Sequence, residues 1–407
     1  MKHDVLVVGG GAVGLTTAAC LCDAGFSVCI VDAAEHNTRS PQGPFELRVS
    51  ALTRAAEHLF TQLQVWGRMD PERLAAFQDM RVWDARVSGE VHFSAADIGE
   101  PWLGTLAENS ALVAALTAHL CDVHDDLCSW RQPAELQALH CDDSGVLARV
   151  SGEHIEASLV VGADGTGSKV RELVGLETRV RDYGQTAVVA TLRTVRGHAN
   201  TAWQRFLASG PIALLPLAGD FASIVWTTTP EESATLVNMS PEAFNEQVAQ
   251  AFDGRFGAVV WSGERGRFPL RRVEATAYVA PRAVLVGDAA HTIHPLAGQG
   301  LNLGLMDAAA LAEVVSDARK AGREFHARNT LRRYERWRKT HNVATQNAMD
   351  GLRWLFADRP MPVRLGREFG LRAVNVLTPL KRELSRAASG IIGDLPARAR
   401  PATILGS

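Results

Sequence analysis

Cysteine is scarce in this sequence of 407 residues, which contains only six. No two of them form a C-x-x-C pair, and their irregular spacing does not suit a zinc site or a disulfide framework in a chain this long. In such a setting cysteine behaves as a small apolar residue of the core. We therefore predict free thiols, most of them buried.

Long apolar runs are also missing, since no stretch of 18 apolar residues occurs anywhere in the chain. A helix that crosses a bilayer needs about 20 such residues, so none is predicted. Near the N-terminus, Asp4 and the glycines after it interrupt the apolar run that a secretory signal would need. We expect a cytoplasmic protein that lies, at most, against the inner face of the membrane.

No strong net charge is present, because 42 basic and 45 acidic side chains give −3. This balance excludes a general nucleic-acid binder. The charge is uneven, however: residues 351–407 hold 10 Lys or Arg and 4 Asp or Glu, a balance of +6, which leaves −9 for the rest. Bulky apolar residues lie between these arginines, a pattern typical of helices on an anionic membrane. A helical cap with a solvated basic face explains the pattern as well.

The N-terminal stretch, residues 4–33, has the pattern of a strand, a glycine turn, a helix and a second strand. Gly9, Gly11 and Gly14 stand in a G-x-G-x-x-G frame, and Asp32 ends the second strand. In this unit the first glycine permits a tight turn, the second lets the backbone approach a pyrophosphate, and the third lets the helix pack on the strand. The helix N-terminus attracts the phosphates and the acid binds a ribose. The stretch therefore predicts a dinucleotide site.

Strand–glycine–helix patterns return at residues 148–176 and 283–304. Between them, residues 183–230 alternate as in an antiparallel sheet. After Leu301 almost the whole chain has helical spacing. The sequence thus predicts an α/β fold in which one discontinuous domain is interrupted by an inserted sheet domain.

Two further motifs narrow the choice of dinucleotide. They read GADGTGSKVR (162–171) and GDAAHTIHPLAGQGLNLG (287–304). Together with the glycine frame they resemble the three-part signature of flavin-dependent aromatic hydroxylases of the p-hydroxybenzoate-hydroxylase type. The resemblance extends to the ubiquinone-biosynthesis hydroxylase family through RVSALT (48–53), YGQTA (183–187), FPL (268–270) and SGIIGDLP (389–396). These motifs follow the family's order through nearly the whole chain.

The resemblance implies an FAD-dependent monooxygenase that hydroxylates the ring of a polyprenylated phenol on the route to ubiquinone. It implies O2 and NAD(P)H as co-substrates, with a C4a-hydroperoxide formed on the reduced flavin. Two alternatives stay open: a hydroxylase of a small soluble phenol, and a non-catalytic FAD-binding scaffold in a biosynthetic complex. A carboxylated phenol would call for an arginine in the inserted sheet, for which Arg193 and Arg205 are candidates.

The resemblance also implies a domain layout: a discontinuous Rossmann-like FAD-binding domain, an inserted antiparallel-sheet substrate domain and a helical C-terminal region. The expected segments are FAD-binding (1–75, 106–180 and 276–345), substrate-domain strands (76–105), the substrate-binding sheet domain (181–275) and the helical region (346–407).

Several residues take cofactor roles through the resemblance. Asp288 would bind the ribityl or phosphate region of FAD, and Gly287 precedes it in the same motif. Asp164 and Gly165 would lie where FAD meets the incoming nicotinamide. Arg48 and Asn109 match positions that approach the flavin. At the position of Asp32 the family more often has Glu, a longer acid that also reaches a ribose.

The glycine-rich loop before the last α/β helix has a physical explanation. Gly298, Gln299 and Gly300 let the backbone approach a flat ring without a Cβ clash. The N–H groups of Leu301 and Asn302, at the helix N-terminus, would stabilise the negative charge of a reduced flavin by roughly 0.3–2 kcal/mol. Pro295 would stiffen the loop on the substrate side.

The two histidines of this motif do not predict a metal. His291 and His294 form an H-x-x-H pair, but no third ligand stands at metal spacing and a proline follows directly. A structural role is expected for His291, and His294 is a candidate to face the substrate. We therefore predict Pro295, Gly298, Gln299 and His294 as the catalytic loop residues.

No second G-x-G-x-x-G frame follows another strand. NAD(P)H is therefore expected to visit the flavin transiently, or else a separate reductase delivers the electrons, and the resemblance favours the transient visit. Six apolar residues of the inserted sheet are candidates for the substrate wall, although each is also a good core residue: Phe206, Leu214, Pro216, Trp226, Phe268 and Leu270. Other ubiquinone-biosynthesis proteins, or the membrane, are expected partners of the basic C-terminal region.

Overall fold

The computed structural model describes residues 2–35, 38–86, 89–293, 299–356 and 361–401. Its strands are β1 (Lys2–Val8), β2 (Val28–Val31), β3 (Val49–Thr53), β4 (Leu74–Phe77), β5 (Asp79–Asp84), β6 (Glu90–Ser94), β7 (Gly104–Glu108), β8 (Cys128–Arg131), β9 (Leu136–Cys141), β10 (Val146–Val150), β11 (Glu153–Gly162), β12 (Thr178–Thr194), β13 (Thr201–Phe206), β14 (Pro211–Pro216), β15 (Phe221–Thr228), β16 (Val259–Ala275), β17 (Val279–Ala280), β18 (Ala283–Leu285) and β19 (His291–Thr292). Its α-helices are α1 (Ala12–Cys22), α2 (Arg54–Gln62), α3 (Asn109–Val123), α4 (Lys169–Leu173), α5 (Pro230–Asn238), α6 (Pro241–Ala251), α7 (Gln299–Lys320), α8 (Arg328–Phe356), α9 (Met361–Val376) and α10 (Thr378–Ala388).

The first sheet has the order β17-β18-β11-β1-β2-β8, and β9 and β10 join it beside β11. The pairs β1–β11, β1–β2, β2–β8 and β11–β18 are parallel. Every residue of Val28–Val31 is buried, as expected of a strand covered on both faces. Helix α1 packs against α3 and α7 beside this sheet. The predicted α/β fold with strands drawn from early, middle and late segments is confirmed.

The second sheet has the order β19-β16-β12-β15-β14-β13-β5-β6. Its pairs are antiparallel except β13–β5, which is parallel. Helices α5 and α6 cover one face, where Phe244 and Val248 meet Val188 and Ile224 in one apolar cluster. The strands come from two separate stretches, 79–94 and 178–292, and the division of the chain into domains stays a prediction.

The chain after residue 299 is helical through α7, α8, α9 and α10, as predicted. No helix in the described part of the chain is both long enough and apolar enough to span a bilayer. All six cysteines are free, four of them buried, with Cys141 half-buried and Cys121 exposed. Residues 356 and 374, at the end of α8 and within α9, pack on the second sheet through a small apolar cluster with Phe206.

Candidate FAD-binding site

The glycine turn after β1 is packed too tightly for a side chain at Gly9 or Gly14. Gly9 has φ +109°, and a Cβ there would lie 2.3 Å from the carbonyl oxygen of Ala163. A Cβ on Gly14 would lie 1.9 Å from the carbonyl oxygen of Gly9. At Gly11, by contrast, an added Cβ meets nothing within 4 Å. Two glycines thus allow the turn to form, while the third leaves open space at the N-terminus of α1.

That open space belongs to a large cavity of about 1040 Å³. The predicted residues that line it are Gly11, Arg48, Asn109, Gly165, Asp288, Gly300 and Leu301. They come from five separate stretches of the chain, so only the tertiary structure brings them together. Glu35 and Arg39 also line the cavity, and no motif had pointed to either.

Asp32 lies at the edge of this cavity rather than in its lining. One carboxylate oxygen accepts a hydrogen bond from the N–H of Gly10, and the other accepts one from the N–H of Ala34 across 2.7 Å. The acid therefore ties the end of β2 to the glycine turn. Glu35, three residues further on, brings a second carboxylate to the same end of the cavity.

Asp164 also uses both carboxylate oxygens within the fold. Ser168 Oγ donates to one across 2.5 Å, and the N–H of Val170 donates to the other across 3.0 Å. The side chain therefore holds the start of α4. Gly165, with φ +77°, is the member of this motif that faces the cavity.

Asp288 projects into the cavity from a short 3₁₀ turn after β18. Its side chain is exposed to the cavity, yet protein atoms crowd around it. This desolvation raises the pKa of Asp288 above its ordinary value, against the opposing charges of His291 and Arg48. Before it, Gly287 has φ +58°, a conformation that favours glycine.

The turn that carries Asp288 is anchored on the buried carboxylate of Asp307 in α7. Asp307 accepts hydrogen bonds from the N–H of Gly287 (3.1 Å), His291 Nε2 (2.5 Å), Arg338 Nε (2.8 Å) and Asn342 Nδ2 (3.0 Å). Burial by itself would raise the pKa of Asp307, but the charges of His291 and Arg338 outweigh it and hold that pKa well below its usual range. His291 therefore has a buried partner within the fold. No group of three or more metal-ligating side chains occurs among the residues that the structure describes.

The start of α7 is held from two directions. Asn302 Oδ1 accepts from the N–H of Thr53 (2.9 Å), and Asn302 Nδ2 donates to the carbonyl of Ala51 (2.7 Å). Gln299 Nε2 donates to the carbonyl of Ala388 (3.2 Å). Gly300 and Leu301 line the cavity, so the N-terminal end of α7 faces it. His294, Pro295 and Gly298 lie outside the described residues.

Arg48 precedes β3 and Asn109 begins α3, and both line the cavity. The N–H of Asn109 donates to the carbonyl of Arg48 (3.0 Å), and Asn109 Oδ1 accepts from Ser50 Oγ (2.6 Å). The Arg48 guanidinium lies 6.0 Å from the centre of the Phe268 ring. Phe268 therefore brings the second sheet to the rim of the cavity.

The prediction that the six apolar residues of the inserted sheet form one substrate wall is wrong, because the pleat of the second sheet places them on opposite faces. Leu214 and Trp226 point into the core beneath α5 and α6, away from Leu270. In the register, Val225 stands next to Trp226 on the opposite face and joins Leu270 and Ala187. Pro216 shares the parity of Leu214 along β14, because side chains two residues apart lie on the same face. A spacing of two was visible in the sequence, but nothing in it said which face met the cavity.

An FAD fits these residues. Gly11 leaves open space that the Cβ of any other residue would occupy. The N-termini of α1 and α7 supply partial positive charge to phosphates and to an electron-rich ring. Asp288 supplies a carboxylate that accepts hydrogen bonds from hydroxyl groups. Gly11, Asp288 and Gly300 all line the same cavity.

Comparison with known proteins agrees with this fit. A family model described as an FAD binding domain matches residues 2–348. Among solved structures, p-nitrophenol 4-monooxygenase from Pseudomonas putida superposes with a TM-score of 0.76 at 18% identity, covering 95% of this chain and 97% of that one. Fold, cavity and family match define an FAD-binding protein, with FAD as its cofactor.

Curated relatives are more similar in sequence. The 3-demethoxyubiquinol 3-hydroxylase of Escherichia coli is 36% identical over 389 residues, which cover 95% of this chain and 98% of the relative. Ubiquinone hydroxylase UbiL of Rhodospirillum rubrum is 37% identical over 390 residues (96% and 90%). The human mitochondrial ubiquinone biosynthesis monooxygenase COQ6 is 33% identical over 437 aligned positions (95% and 92%). The chain belongs to this family of ubiquinone-biosynthesis hydroxylases.

Proposed function

We propose that this enzyme hydroxylates the aromatic ring of a polyprenylated phenol in ubiquinone biosynthesis, using O2 and electrons from NAD(P)H. Relatives that cover nearly the whole chain are named for ubiquinone hydroxylation. A bound FAD supplies the oxygen-activating chemistry. The protein residues bind the cofactor, exclude water and orient the phenol.

The proposal of a lipid-tailed substrate is supported by the apolar surface of the C-terminal helices, which we call the apolar helix face. Its members are exposed by 42–77%: Trp354, Phe369, Val376, Leu377, Leu380 and Leu384. Phe369 and Val376 stand seven residues apart on α9, and Leu380 and Leu384 stand four apart on α10, so each pair shares a side of its helix. Clustered exposed apolar side chains mark membrane or protein contacts. Peripheral contact with the membrane gives the enzyme access to a substrate that stays in the bilayer.

The helical-cap explanation and the membrane explanation are compatible. Phe356 stacks on Phe206 of the second sheet with ring centroids 3.8 Å apart, and Lys381 pairs with Asp97 across 2.7 Å. One side of the C-terminal helices thus covers the fold. The members of the apolar helix face remain at least 42% exposed beside these contacts.

The soluble-phenol alternative loses its two candidate cations. Arg193 pairs with Asp220 at the surface (3.2 Å). Arg205 donates to the carbonyl of Ala251 (2.8 Å) and pairs with Asp253 (2.8 Å). Both arginines therefore have structural partners, which favours a substrate without a carboxylate. The scaffold alternative also binds FAD, so the cavity does not discriminate against it and the reconstitution assay below tests it.

We further propose the loop Pro295, Gly298, Gln299 and His294 as the substrate side of the flavin, with NAD(P)H as a transient visitor near Gly165. The single glycine frame supports a transient visit, since a second dinucleotide fold would need its own strand–turn–helix unit.

The test is reconstitution of the purified enzyme with FAD, NAD(P)H and O2. Hydroxylated product should form from a phenol that carries a prenyl chain, and mass spectrometry should detect one added oxygen. 4-Hydroxybenzoate is the matched soluble phenol. Turnover of 4-hydroxybenzoate but not of the prenylated phenol would support the soluble-phenol alternative. If no phenol stimulates NAD(P)H oxidation by the protein, the result would support the scaffold alternative.

A further inference from the structure

A second cavity, of about 750 Å³, lies on the outer side of α8, against the segment around β17. Four basic side chains line it, all from α8: Arg328, Arg332, Arg336 and Lys339. One acid, Glu335, also lines it, and that carboxylate already accepts a hydrogen bond from the N–H of Tyr278 (2.7 Å). We call this cavity the α8 basic groove.

Three arginines of the α8 basic groove carry charge without a direct partner among the residues that the structure describes. Arg328, Arg332 and Arg336 are exposed, and their side chains have no ion pair or hydrogen bond in the part of the chain that the structure describes. They follow one another at i, i+4 spacing, where like charges repel and destabilise a helix. Lys339 is held in place, because its ammonium donates to the carbonyl of Thr276 and lies 5.6 Å from the centre of the Tyr278 ring. An anion that bridges these cations would relieve the repulsion.

The walls of the α8 basic groove suit a phosphate attached to an apolar body. Thr340 and Asn347 add a hydroxyl and an amide to the lining, and Val279 and Val343 supply apolar surface. Guanidinium groups bind phosphate oxygens through paired N–H donors. The lining thus combines donors for a phosphate with contacts for a hydrocarbon.

The direction of α8 relates the α8 basic groove to the apolar helix face. Arg336 and Trp354 are 18 residues apart, which is five turns of an ideal helix. They therefore project from the same side of α8, about 27 Å apart along its axis. Trp354 is 54% exposed. A surface that receives Trp354 at one end of the helix would meet Arg336 at the other.

We infer that the α8 basic groove binds the phosphate headgroup of an anionic phospholipid, so that α8 lies along the membrane with arginines on headgroups and Trp354 at the acyl boundary. The inference rests on the proposed membrane contact and adds a headgroup site outside the basic C-terminal tail. It increases the preference for anionic lipid that the basic C-terminal tail already favours, whereas the apolar helix face alone would bind any bilayer.

The test is co-sedimentation with vesicles of phosphatidylcholine, alone or mixed with phosphatidylglycerol. Arg332→Glu with Arg336→Glu should weaken binding to the mixed vesicles by about 30-fold or more, since each cation at an anionic surface is worth about fivefold to sixfold. The matched control is Arg323→Glu with Arg333→Glu. It makes the same charge change at exposed arginines that do not line the groove. FAD content should be unchanged in both variants, and neither variant should unfold at a lower temperature than wild type.

Loss of anionic selectivity in the groove variant but not in the control supports the inference. Equal binding by all three proteins, or equal loss in both variants, overturns it while leaving the proposed membrane contact standing. Wild-type protein that sediments with neither vesicle overturns both. If inorganic phosphate binds the groove in a titration but the protein shows no preference for phosphatidylglycerol vesicles, the ligand is a free phosphate and the inferred lipid headgroup is wrong.

Discussion

The side-chain amide of Gln299 donates a hydrogen bond to the backbone carbonyl of Ala388 across 3.2 Å. This contact joins the first residue of α7, beside the FAD cavity, to the last residue of α10, which carries part of the apolar helix face. The next residue, Ser389, accepts a hydrogen bond from the N–H of Arg54 (3.1 Å). The late SGIIGDLP motif thus joins the C-terminal helices to the flavin end of the fold.

Gly390 tests this junction. It has φ +69°, and a Cβ there would lie 3.1 Å from Thr53 Oγ1. We expect Gly390→Ala to cost about 1–2 kcal/mol from backbone strain, plus a further loss from the contact with Thr53. Gly322→Ala is the control, because Gly322 has φ +65° but open space around its Cβ. Urea unfolding should show the larger loss for Gly390→Ala, and equal losses would show that the junction tolerates the added methyl.

Substitutions at Gly9 and Gly11 are expected to separate effects on folding from effects on cofactor binding. Gly11→Val should leave the apoprotein within about 1 kcal/mol of wild type, since nothing lies within 4 Å of the added Cβ. It should nevertheless weaken FAD binding at least tenfold, because the side chain would occupy the open space at this position. Gly9→Ala should instead destabilise the fold, since its Cβ would lie 2.3 Å from a backbone oxygen. Flavin absorbance per chain and apoprotein unfolding measure the two effects, and full FAD occupancy in Gly11→Val would contradict the assignment.

Asp288 is expected to hold FAD through its carboxylate. Asp288→Ala should weaken FAD binding by about 1.5–3 kcal/mol, the usual size of a hydrogen bond to a charged group. Asp288→Asn retains an acceptor oxygen of the same shape and should lose less. Fluorescence titration of the apoprotein with FAD gives both values. A wild-type dissociation constant in Asp288→Ala would remove this residue from the site.

Asp307 should make the free energy of unfolding depend on pH in the acid range. Its pKa in the folded state lies below the unfolded value of about 3.9, so the unfolded chain binds more protons in acid. The contribution is complete above about pH 4 and is lost as the pH falls further. Asp307→Asn should lower stability at neutral pH by about 3–5 kcal/mol, because the Arg338 charge is left buried without its partner. It should also flatten the acid slope in urea unfolding, and an unchanged slope would assign that slope to other carboxyls.

The apolar helix face should bind membranes through its leucines. Leu380→Ser with Leu384→Ser should weaken binding to phosphatidylcholine vesicles by roughly 2 kcal/mol in total, from lost apolar burial. Leu147→Ser with Val180→Ser is the control, since those residues are also exposed, by 41% and 61%, but lie on other elements. Co-sedimentation at high salt isolates the apolar part of the interaction. Equal binding by the two variants would assign α10 to a purely structural role.

Local sequence determined much of this protein. The alternation of apolar residues and the glycine frame predicted the α/β fold, because backbone sterics near Gly9 and Gly14 act between close neighbours. Asp288, Gly300 and Leu301 were found through a motif whose glycines and polar residues are contiguous. The helical nature of the chain after Leu301 followed from its spacing.

Tertiary structure alone decided which side chains face the cavity. Asp32 and Asp164 are the acids that the sequence predicted for the site. Their carboxylate oxygens, however, accept hydrogen bonds from backbone and hydroxyl donors of neighbouring turns, and Glu35 lines the cavity instead. The face of the second sheet that meets the cavity depends on where α5 and α6 pack, which strand alternation does not specify. Asp307 and Arg338 stand 31 residues apart and meet because α7 and α8 pack together. Such contacts depend on the packing of whole elements, and no local pattern in a single sequence records that packing.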